Sequence, residues 1–69
     1  MTVESLIGKS IYAENQHIMI SCDVPENYEV IADGNITIIG KLLGKAIAGA
    51  HGRKNSQIFC NKCEAQLIS

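Results

Sequence analysis

From residue 18 to residue 50, apolar side chains occupy the even positions much more often than the odd ones. Thirteen of the 17 even positions are apolar, and only Glu26 among them is charged. The odd positions carry most of the polar residues, although Met19 and Ile31 are apolar exceptions. A period of two sends alternate side chains to opposite faces of a strand, so the pattern predicts β-structure with one buried face.

The length of this pattern predicts a solenoid of short strands. One strand of 33 residues would be far longer than the usual five or six. In a series of hairpins, the loops would usually change which positions, even or odd, point inward. A chain that coils around one core keeps the even positions inward throughout. The two halves of the stretch also superimpose at a spacing of 18, which predicts these stacked pairs: Ile18 over Ile36, Ile20 over Ile38, Val24 over Leu42, Val30 over Ala48 and Ala32 over Ala50.

The two ends of the chain are less regular. Residues 1–16 read as a leading segment, in which Ile7, Ile11 and Ala13 are predicted to point inward. After the polar stretch 51–57, apolar residues still occupy even positions at Ile58 and Cys60, but from Cys63 onward they occupy odd positions. This shift predicts a one-residue corner near Asn61 and Lys62. The inward residues after residue 57 are then Ile58, Cys60, Cys63, Ala65 and Leu67. We expect residues 1–69 to form a single domain.

Residues 38–50, IIGKLLGKAIAGA, leave a helical alternative open. Pairs of apolar residues recur there every four positions, and an amphipathic helix over residues 36–54 would act on a membrane surface. Each glycine costs a helix interior about 1 kcal/mol relative to alanine, which favours the coil. The coil instead predicts that glycines stand where the chain turns or where stacked backbones approach each other. The predicted turn residues are Asp33, Gly34, Gly40, Gly44, Gly49 and Gly52, and the Asp-Gly pair is interpreted as a turn rather than a catalytic acid.

Composition narrows the functional classes. The chain has 69 residues and a formal charge of −1, and its six Lys and Arg are scattered, so nucleic-acid binding has no basic patch to support it. No apolar run approaches the roughly 18 residues of a membrane span, and the first ten residues do not resemble a signal peptide. We therefore expect a cytoplasmic protein without direct membrane insertion. Three cysteines, an odd number, favour reduced thiols over a disulfide framework.

Candidate chemistry is sparse. Cys60 and Cys63 have the CxxC spacing of half a zinc site, but a structural site needs four ligands. Only Cys22, His17 and His51 could complete it, so no metal and no cofactor is predicted. His51 has no Ser or Asp arrangement around it that would indicate a nucleophile. The sequence therefore predicts that the chain is not an enzyme.

Several segments in a fixed order resemble one protein family. These segments are GKSIYA at 8–13, EVIADGNITIIG at 29–40, GKLLGKAIAGAHG at 40–52, SQIFC at 56–60 and EAQLIS at 64–69. Together they cover nearly the whole chain and resemble the C-terminal domain of the bacterial septum-site determining protein MinC. The resemblance implies an all-β fold, a right-handed β-helix of triangular section with about three short coils.

The resemblance also implies a function. In this family the C-terminal domain forms dimers and binds the membrane-associated ATPase MinD, which carries the inhibitor to the membrane and so positions inhibition of the tubulin-like protein FtsZ. The expected partners are a second copy of the chain, a MinD-type ATPase and FtsZ. The N-terminal domain that inhibits FtsZ, and the family's last coil and tail, are expected to lie outside these 69 residues.

Candidate interface residues follow from the same resemblance. The family's MinD-contact motif, Arg-Ser-Gly-Gln, reads Leu6-Ile7-Gly8-Lys9 here, so only the glycine matches and an altered partner surface is expected. Lys45 occupies the position of a basic family residue, although a lysine lacks the planar fork of an arginine. The partner-binding candidates are Gly8, Lys9 and Lys45, and the oligomer-interface candidates are Ile39, Leu43, Ile47 and Phe59. A self-assembling scaffold that resembles bactofilin polymers is the alternative function.

Overall fold

The computed structural model describes residues 1–50, 52 and 55–65, together with the backbone of residues 67 and 68. The strong preference for alternating side chains produces eight β-strands over these residues. In chain order they are β1 Thr2–Val3, β2 Ser10–Ala13, β3 Ile18–Ile20, β4 Glu29–Ala32, β5 Ile36–Leu42, β6 Lys45–Ala48, β7 Ile58–Cys63 and β8 Leu67–Ile68. Among the described residues no helix is long and apolar enough to cross a membrane.

The strands form two parallel sheets. Sheet 1 has the order β1-β3-β5-β7, and sheet 2 has the order β2-β4-β6-β8. Each strand pairs with the strand two further along the chain, so each coil contributes one strand to each sheet. A third side is formed where Val24 bridges Leu42 in parallel. The predicted all-β solenoid is confirmed. Each sheet contains four strands among the described residues, so the chain coils three times between the first strand of a sheet and the last.

The helical alternative for residues 36–54 is wrong in its described part. Residues 36–42 and 45–48 are strands β5 and β6 of the two parallel sheets. The glycines between the apolar pairs explain the difference, because Gly40 and Gly44 lie where neighbouring coils approach most closely. A helix would leave the inward side chains of this segment without the core that the coil provides.

The predicted spacing of 18 holds between β3 and β5 of sheet 1 and fails between β4 and β6 of sheet 2. Ile18 lies opposite Ile36, and Ile20 lies opposite Ile38, as predicted. On sheet 2, however, Val30 lies opposite Ala46 rather than Ala48. Likewise the partner of Ala32 is Ala48 rather than Ala50. The predicted pairs were wrong because the coil becomes shorter by two residues in the turn before β6.

Gly44 makes that short turn possible. A Cβ atom at this position would meet the carbonyl oxygens of Tyr28 and Pro25, the latter at 2.6 Å. These are backbone atoms, which cannot move aside as a flexible side chain can. The turn between Leu42 and Lys45 therefore contains only two residues and lies directly against the longer turn of the preceding coil.

The predicted change of phase in the last coil is confirmed by the strand register. Ile38 pairs with Cys60, but the next pair joins Lys41 to Lys62. Strand β5 therefore places two residues at the corner where β7 places only Asn61. Ile58, Cys60 and Ala65 pack against the core as predicted. The prediction was wrong for Cys63, which pairs with the buried Leu42 but is itself exposed. The side chain of residue 67 lies outside the described residues.

The leading segment forms the first coil, with one correction. Ala13 is fully buried and Ile11 is half-buried, as predicted, whereas Ile7 is 85% exposed. Leu6 packs against the core in place of Ile7. The carbonyl of Ile7 accepts a hydrogen bond of 3.0 Å from the buried Tyr28 hydroxyl, and the Ile7 side chain stands outside.

The core follows the parity of the sequence. Between residues 18 and 46, nearly every even apolar position is buried, and full burial of each isoleucine contributes about 1.5–3 kcal/mol. The buried apolar residues are Ala13, Ile18, Ile20, Val24, Tyr28, Val30, Ala32, Ile36, Ile38, Leu42 and Ala46. This continuous column fixes which odd residues face outward on each side of the coil.

Candidate partner-binding surfaces

Sheet 2 presents two outward rows of side chains. The parallel register stacks Ser10, Glu29 and Lys45 in one row, with neighbouring strands about 4.8 Å apart. The other row is apolar and consists of Tyr12, Ile31 and Ile47. Ile31 and Ile47 are half-buried and Tyr12 is 40% exposed. Sheet 2 therefore offers a flat surface with an apolar row beside a row of charged and polar groups.

The partner-binding candidates lie along one border of this surface. Lys9 directly precedes β2, and its carbonyl accepts a hydrogen bond of 3.1 Å from the Glu29 amide. Lys45 begins β6, two strands across the sheet, which places the backbones of the two lysines about 10 Å apart along the coil axis. Gly8 is exposed and adopts a φ of +74°, which turns the chain into this border. The structure thus brings Gly8, Lys9 and Lys45 to one side of sheet 2.

Glu29 separates the two lysines. It is half-buried between Ser10 and Lys45 in the same outward row, so the border alternates in charge. The exposed Ile7 precedes Gly8 and adds an apolar side chain at the end of this border. A partner that fits this surface needs acidic groups opposite the lysines and an apolar contact for the neighbouring row.

A buried carboxylate supports sheet 2. Asp33 is only 2% exposed, and its two carboxylate oxygens share the hydrogen bond that the Tyr12 hydroxyl donates, at 2.8 and 3.0 Å. The backbone amide of Asn15 donates another bond, at 2.7 Å. Partial burial raises the pKa of Tyr12 to about 12, and the hydrogen bond and the negative charge of Asp33 contribute to the rise. Asp33 lies in the bend after β4 and also links two coils, a role for which the sequence carries no signal.

The oligomer-interface candidates do not form one surface. Phe59 is 56% exposed on sheet 1, in an outward row with Met19 and Thr37. Ile39 is 46% exposed at the corner of the same sheet. Ile47 instead belongs to the apolar row of sheet 2, and the half-buried Leu43 lies in the turn before β6. Sheet 1 thus carries its own apolar patch, composed of Met19, Ile39 and Phe59.

Stacked corners connect the coils through polar side chains. The Nδ1 atom of His17 accepts a hydrogen bond of 2.7 Å from the amide of Asn35. The side-chain oxygen of Asn35 in turn accepts one of 2.8 Å from the amide of Gln57. At another corner, the carboxylate of Asp23 accepts one of 2.8 Å from the amide of Lys41. His17, a potential metal ligand in the sequence, therefore uses one ring nitrogen to join two coils.

Five of the six predicted turn residues lie between strands, whereas Gly40 lies inside β5, at the corner where the pairing with β7 shifts. Gly34 packs against the His17 ring, and Gly40 lies where a Cβ atom would come within 2.6 Å of an Asp23 carboxylate oxygen. Gly49 and Gly52 adopt positive φ angles of 67° and 78°. At three of these glycines, namely Gly34, Gly40 and Gly44, the close approach of the preceding coil excludes a larger residue.

The cysteines differ from the sequence prediction. Cys60 and Cys63 form a disulfide, with Cα atoms 5.6 Å apart, so the expectation of reduced thiols was wrong for this pair. The register explains the contact, because the one-residue corner at Asn61 brings the two side chains to the same bend. Cys22 is a free thiol. His51 lies outside the described residues, and the rest of the described chain contains no group of three or more His, Cys, Asp or Glu that could hold a metal.

Three comparisons relate this coil to known proteins. Residues 2–69 match the family model of the septum formation inhibitor MinC, C-terminal domain. The chain is 50% identical over 62 residues to a probable septum site-determining protein MinC from Pseudoalteromonas translucida, and 48% identical to one from Colwellia psychrerythraea. Each alignment covers 90% of this chain but 26% of the relative, so the chain spans about a quarter of their length.

A solved structure matches the whole fold. The structure of the MinC:MinD cell division protein complex from Aquifex aeolicus superimposes with a TM-score of 0.86 at 37% sequence identity. The match covers 100% of this chain and 57% of the other. The similarity of fold therefore extends over both sheets.

Proposed function

This chain belongs to the family of MinC C-terminal domains, and from that premise we propose that it is a non-enzymatic partner-binding module of a cell-division regulator. Its main partner is a MinD-type membrane-associated ATPase. Through this partner the module moves from the cytoplasm to the membrane and helps to position inhibition of FtsZ assembly. In this proposal residues 1–69 form a single β-helix domain. Inhibition of FtsZ is a function of the whole regulator.

One observation carries this proposal, namely the border of sheet 2. Three residues chosen from the sequence for partner binding, which are Gly8, Lys9 and Lys45, come together there although 36 positions separate the two lysines. The similar Aquifex aeolicus protein is seen in a complex with MinD, which supports a partner of that kind. The lysines supply charge to an acidic partner surface, and the row of Tyr12, Ile31 and Ile47 supplies apolar contact.

Self-association uses the other sheet in this proposal. The patch of Met19, Ile39 and Phe59 lies on sheet 1, so a second copy can cover it while the lysine border stays open. Aromatic and methionine side chains are enriched at such interfaces. A dimer that presents two lysine borders would bind a membrane-attached partner more tightly than one copy alone, because the second contact is intramolecular.

Co-sedimentation with liposomes, a MinD-type ATPase and ATP tests the proposed partner. We expect the chain to sediment with the liposomes only when both the ATPase and ATP are present. Lys45→Glu should reduce this binding at least tenfold, because it places a negative charge opposite the acidic partner surface. Lys41→Glu is the matched control, since Lys41 is also exposed but lies on the third side of the coil, and it should bind like the wild type.

The two substitutions give distinct outcomes. Equal loss in both variants would show that net charge rather than the sheet 2 border determines binding, and would overturn the site. No binding by a folded wild-type chain would overturn the partner itself. Growth of large particles with rising concentration, without binding to the ATPase, would favour the polymeric scaffold.

A further inference from the structure

The disulfide lies at the corner where β7 passes from sheet 1 to the third side. Cys60 pairs with Ile38 of β5, and Cys63 pairs with Leu42, so the bond spans the bend that Asn61 makes alone. The separation of 5.6 Å between the two Cα atoms lies in the middle of the range found for disulfides. The backbone of the parallel coil therefore places the two cysteines at bonding distance.

The two cysteines differ in their exposure to solvent. Cys60 is half-buried and packs against the core, whereas Cys63 is exposed, although its register partner Leu42 is buried. The Sγ atom of Cys63 also lies 3.6 Å from the carbonyl oxygen of Cys60. Because thiol–disulfide exchange requires direct attack on sulfur, a dissolved thiolate reaches the exposed Cys63 more readily than the half-buried Cys60.

We propose that Cys60 and Cys63 form a reversible thiol–disulfide exchange site whose co-reactants are low-molecular-weight thiols of the glutathione class. The thiolate of such a molecule attacks Sγ of Cys63, the S–S bond breaks, and Cys60 leaves as a thiolate that takes a proton from water. A second small thiol then attacks the mixed disulfide. Its products are the reduced Cys63 and a small-molecule disulfide, so two electrons pass from the small thiols to the protein.

The redox state of the pair determines how often strand β7 opens. The bond closes a loop across a one-residue corner, which restricts the conformations of residues 60–63 when the strand opens. Among the described residues, β7 pairs within sheet 1 with one neighbouring strand, β5. Reduction therefore allows β7 to open more often, and Phe59, which directly precedes Cys60, loses its fixed place on sheet 1. The oxidised pair stabilises the apolar patch and the reduced pair weakens it.

Thiol counting on the whole chain tests whether the site exchanges. In an oxidising glutathione buffer, alkylation followed by mass spectrometry should label only Cys22. In a reducing glutathione buffer it should label all three cysteines. Three labelled thiols under oxidising conditions, or one under reducing conditions, would overturn the proposal. Cys22→Ser should leave the interconversion of the other two unchanged.

Hydrogen exchange tests the structural consequence. We expect the amides of β7 to exchange about tenfold faster after reduction, while those of β3 in the interior of the sheet stay unchanged. The double variant Cys60→Ser/Cys63→Ser should exchange at the reduced rate in both buffers. Equal protection of β7 in the oxidised and reduced wild type would contradict the link between the pair and the order of the strand.

Discussion

Tyr12 and Asp33 join two neighbouring coils through a hydrogen bond of 2.8 Å between the phenol hydroxyl and a buried carboxylate oxygen. The two residues are 21 positions apart in the chain: Tyr12 lies in β2, and Asp33 directly follows β4, the neighbouring strand of sheet 2. The bond fixes the orientation of Tyr12, which begins the apolar row of the proposed partner surface. It therefore connects the order of the binding surface to a charge inside the coil.

Replacement of Tyr12 tests this connection at alkaline pH. The folded protein raises the pKa of Tyr12 from 10.0 to about 12, so the unfolded chain loses this proton first. The stabilisation of the folded state that comes from the raised pKa of Tyr12 is fully present below pH 10 and is lost as the pH rises towards about 12. Spectrophotometric titration of the phenols should show a transition near pH 12 that disappears in Tyr12→Phe. A wild-type transition of Tyr12 near pH 10 would contradict the hydrogen bond.

Substitution of Gly44 by alanine should destabilise the coil by at least about 2 kcal/mol, because the added carbon meets backbone atoms of the preceding turn. Urea denaturation of the variant measures the loss. Gly8→Asn is the matched control, since space around Gly8 is open and its φ of +74° is one that Asn27 adopts, at +65°, one coil later. It should change the free energy of unfolding by less than about 0.5 kcal/mol.

The corner at His17 predicts a different pair of results. His17→Ala removes the acceptor for the Asn35 amide and should cost about 0.5–1.5 kcal/mol in thermal or urea denaturation. His17→Asn should recover most of this loss, because Asn35 occupies the equivalent position in the next coil and accepts a hydrogen bond there. Equal stability of the alanine and asparagine variants would show that water replaces the lost acceptor.

The apolar patch predicts where self-association occurs. Phe59→Ser should weaken the dimer about tenfold or more in analytical ultracentrifugation, since Phe59 is the exposed aromatic residue of the patch and aromatic residues carry a large share of interface energy. Ile47→Ser, on sheet 2, should leave the dimer unchanged while it weakens binding to the ATPase. If Ile47→Ser instead weakens the dimer and Phe59→Ser weakens binding to the ATPase, then sheet 2 forms the dimer and sheet 1 binds the partner.

The sequence predicted the core well, because one rule applied to many residues. Nearly every apolar side chain at an even position between 18 and 46 points into the core. The alternation of apolar and polar residues with a period of two was therefore visible in the sequence. Turn lengths were less predictable. Whether Val30 lies opposite Ala46 or Ala48 depends on the contact of Gly44 with the turn beneath it, which no pattern in the sequence reveals.

The candidate site was only partly predictable for a similar reason. Parity shows that Ile47 and Phe59 face outward, but it does not show to which side of the coil each belongs. The resemblance to a family selected Gly8, Lys9 and Lys45, and the strand register then placed them on one border. The bond between Cys60 and Cys63 depends on the bend at Asn61, whose position was predicted but whose effect on the two sulfurs was not.

The stacked register also determines how the chain reaches its fold. Lys45 pairs with Glu29, 16 positions earlier, and Ile58 pairs with Ile36, 22 positions earlier, so every coil must close a loop of similar length. The entropic cost of closure changes little over that range. Once two coils are in contact, each further coil adds to an existing template at a nearly constant cost. Folding should therefore start slowly with the first pair of coils and then propagate along the axis, as expected for a quasi-one-dimensional polymer.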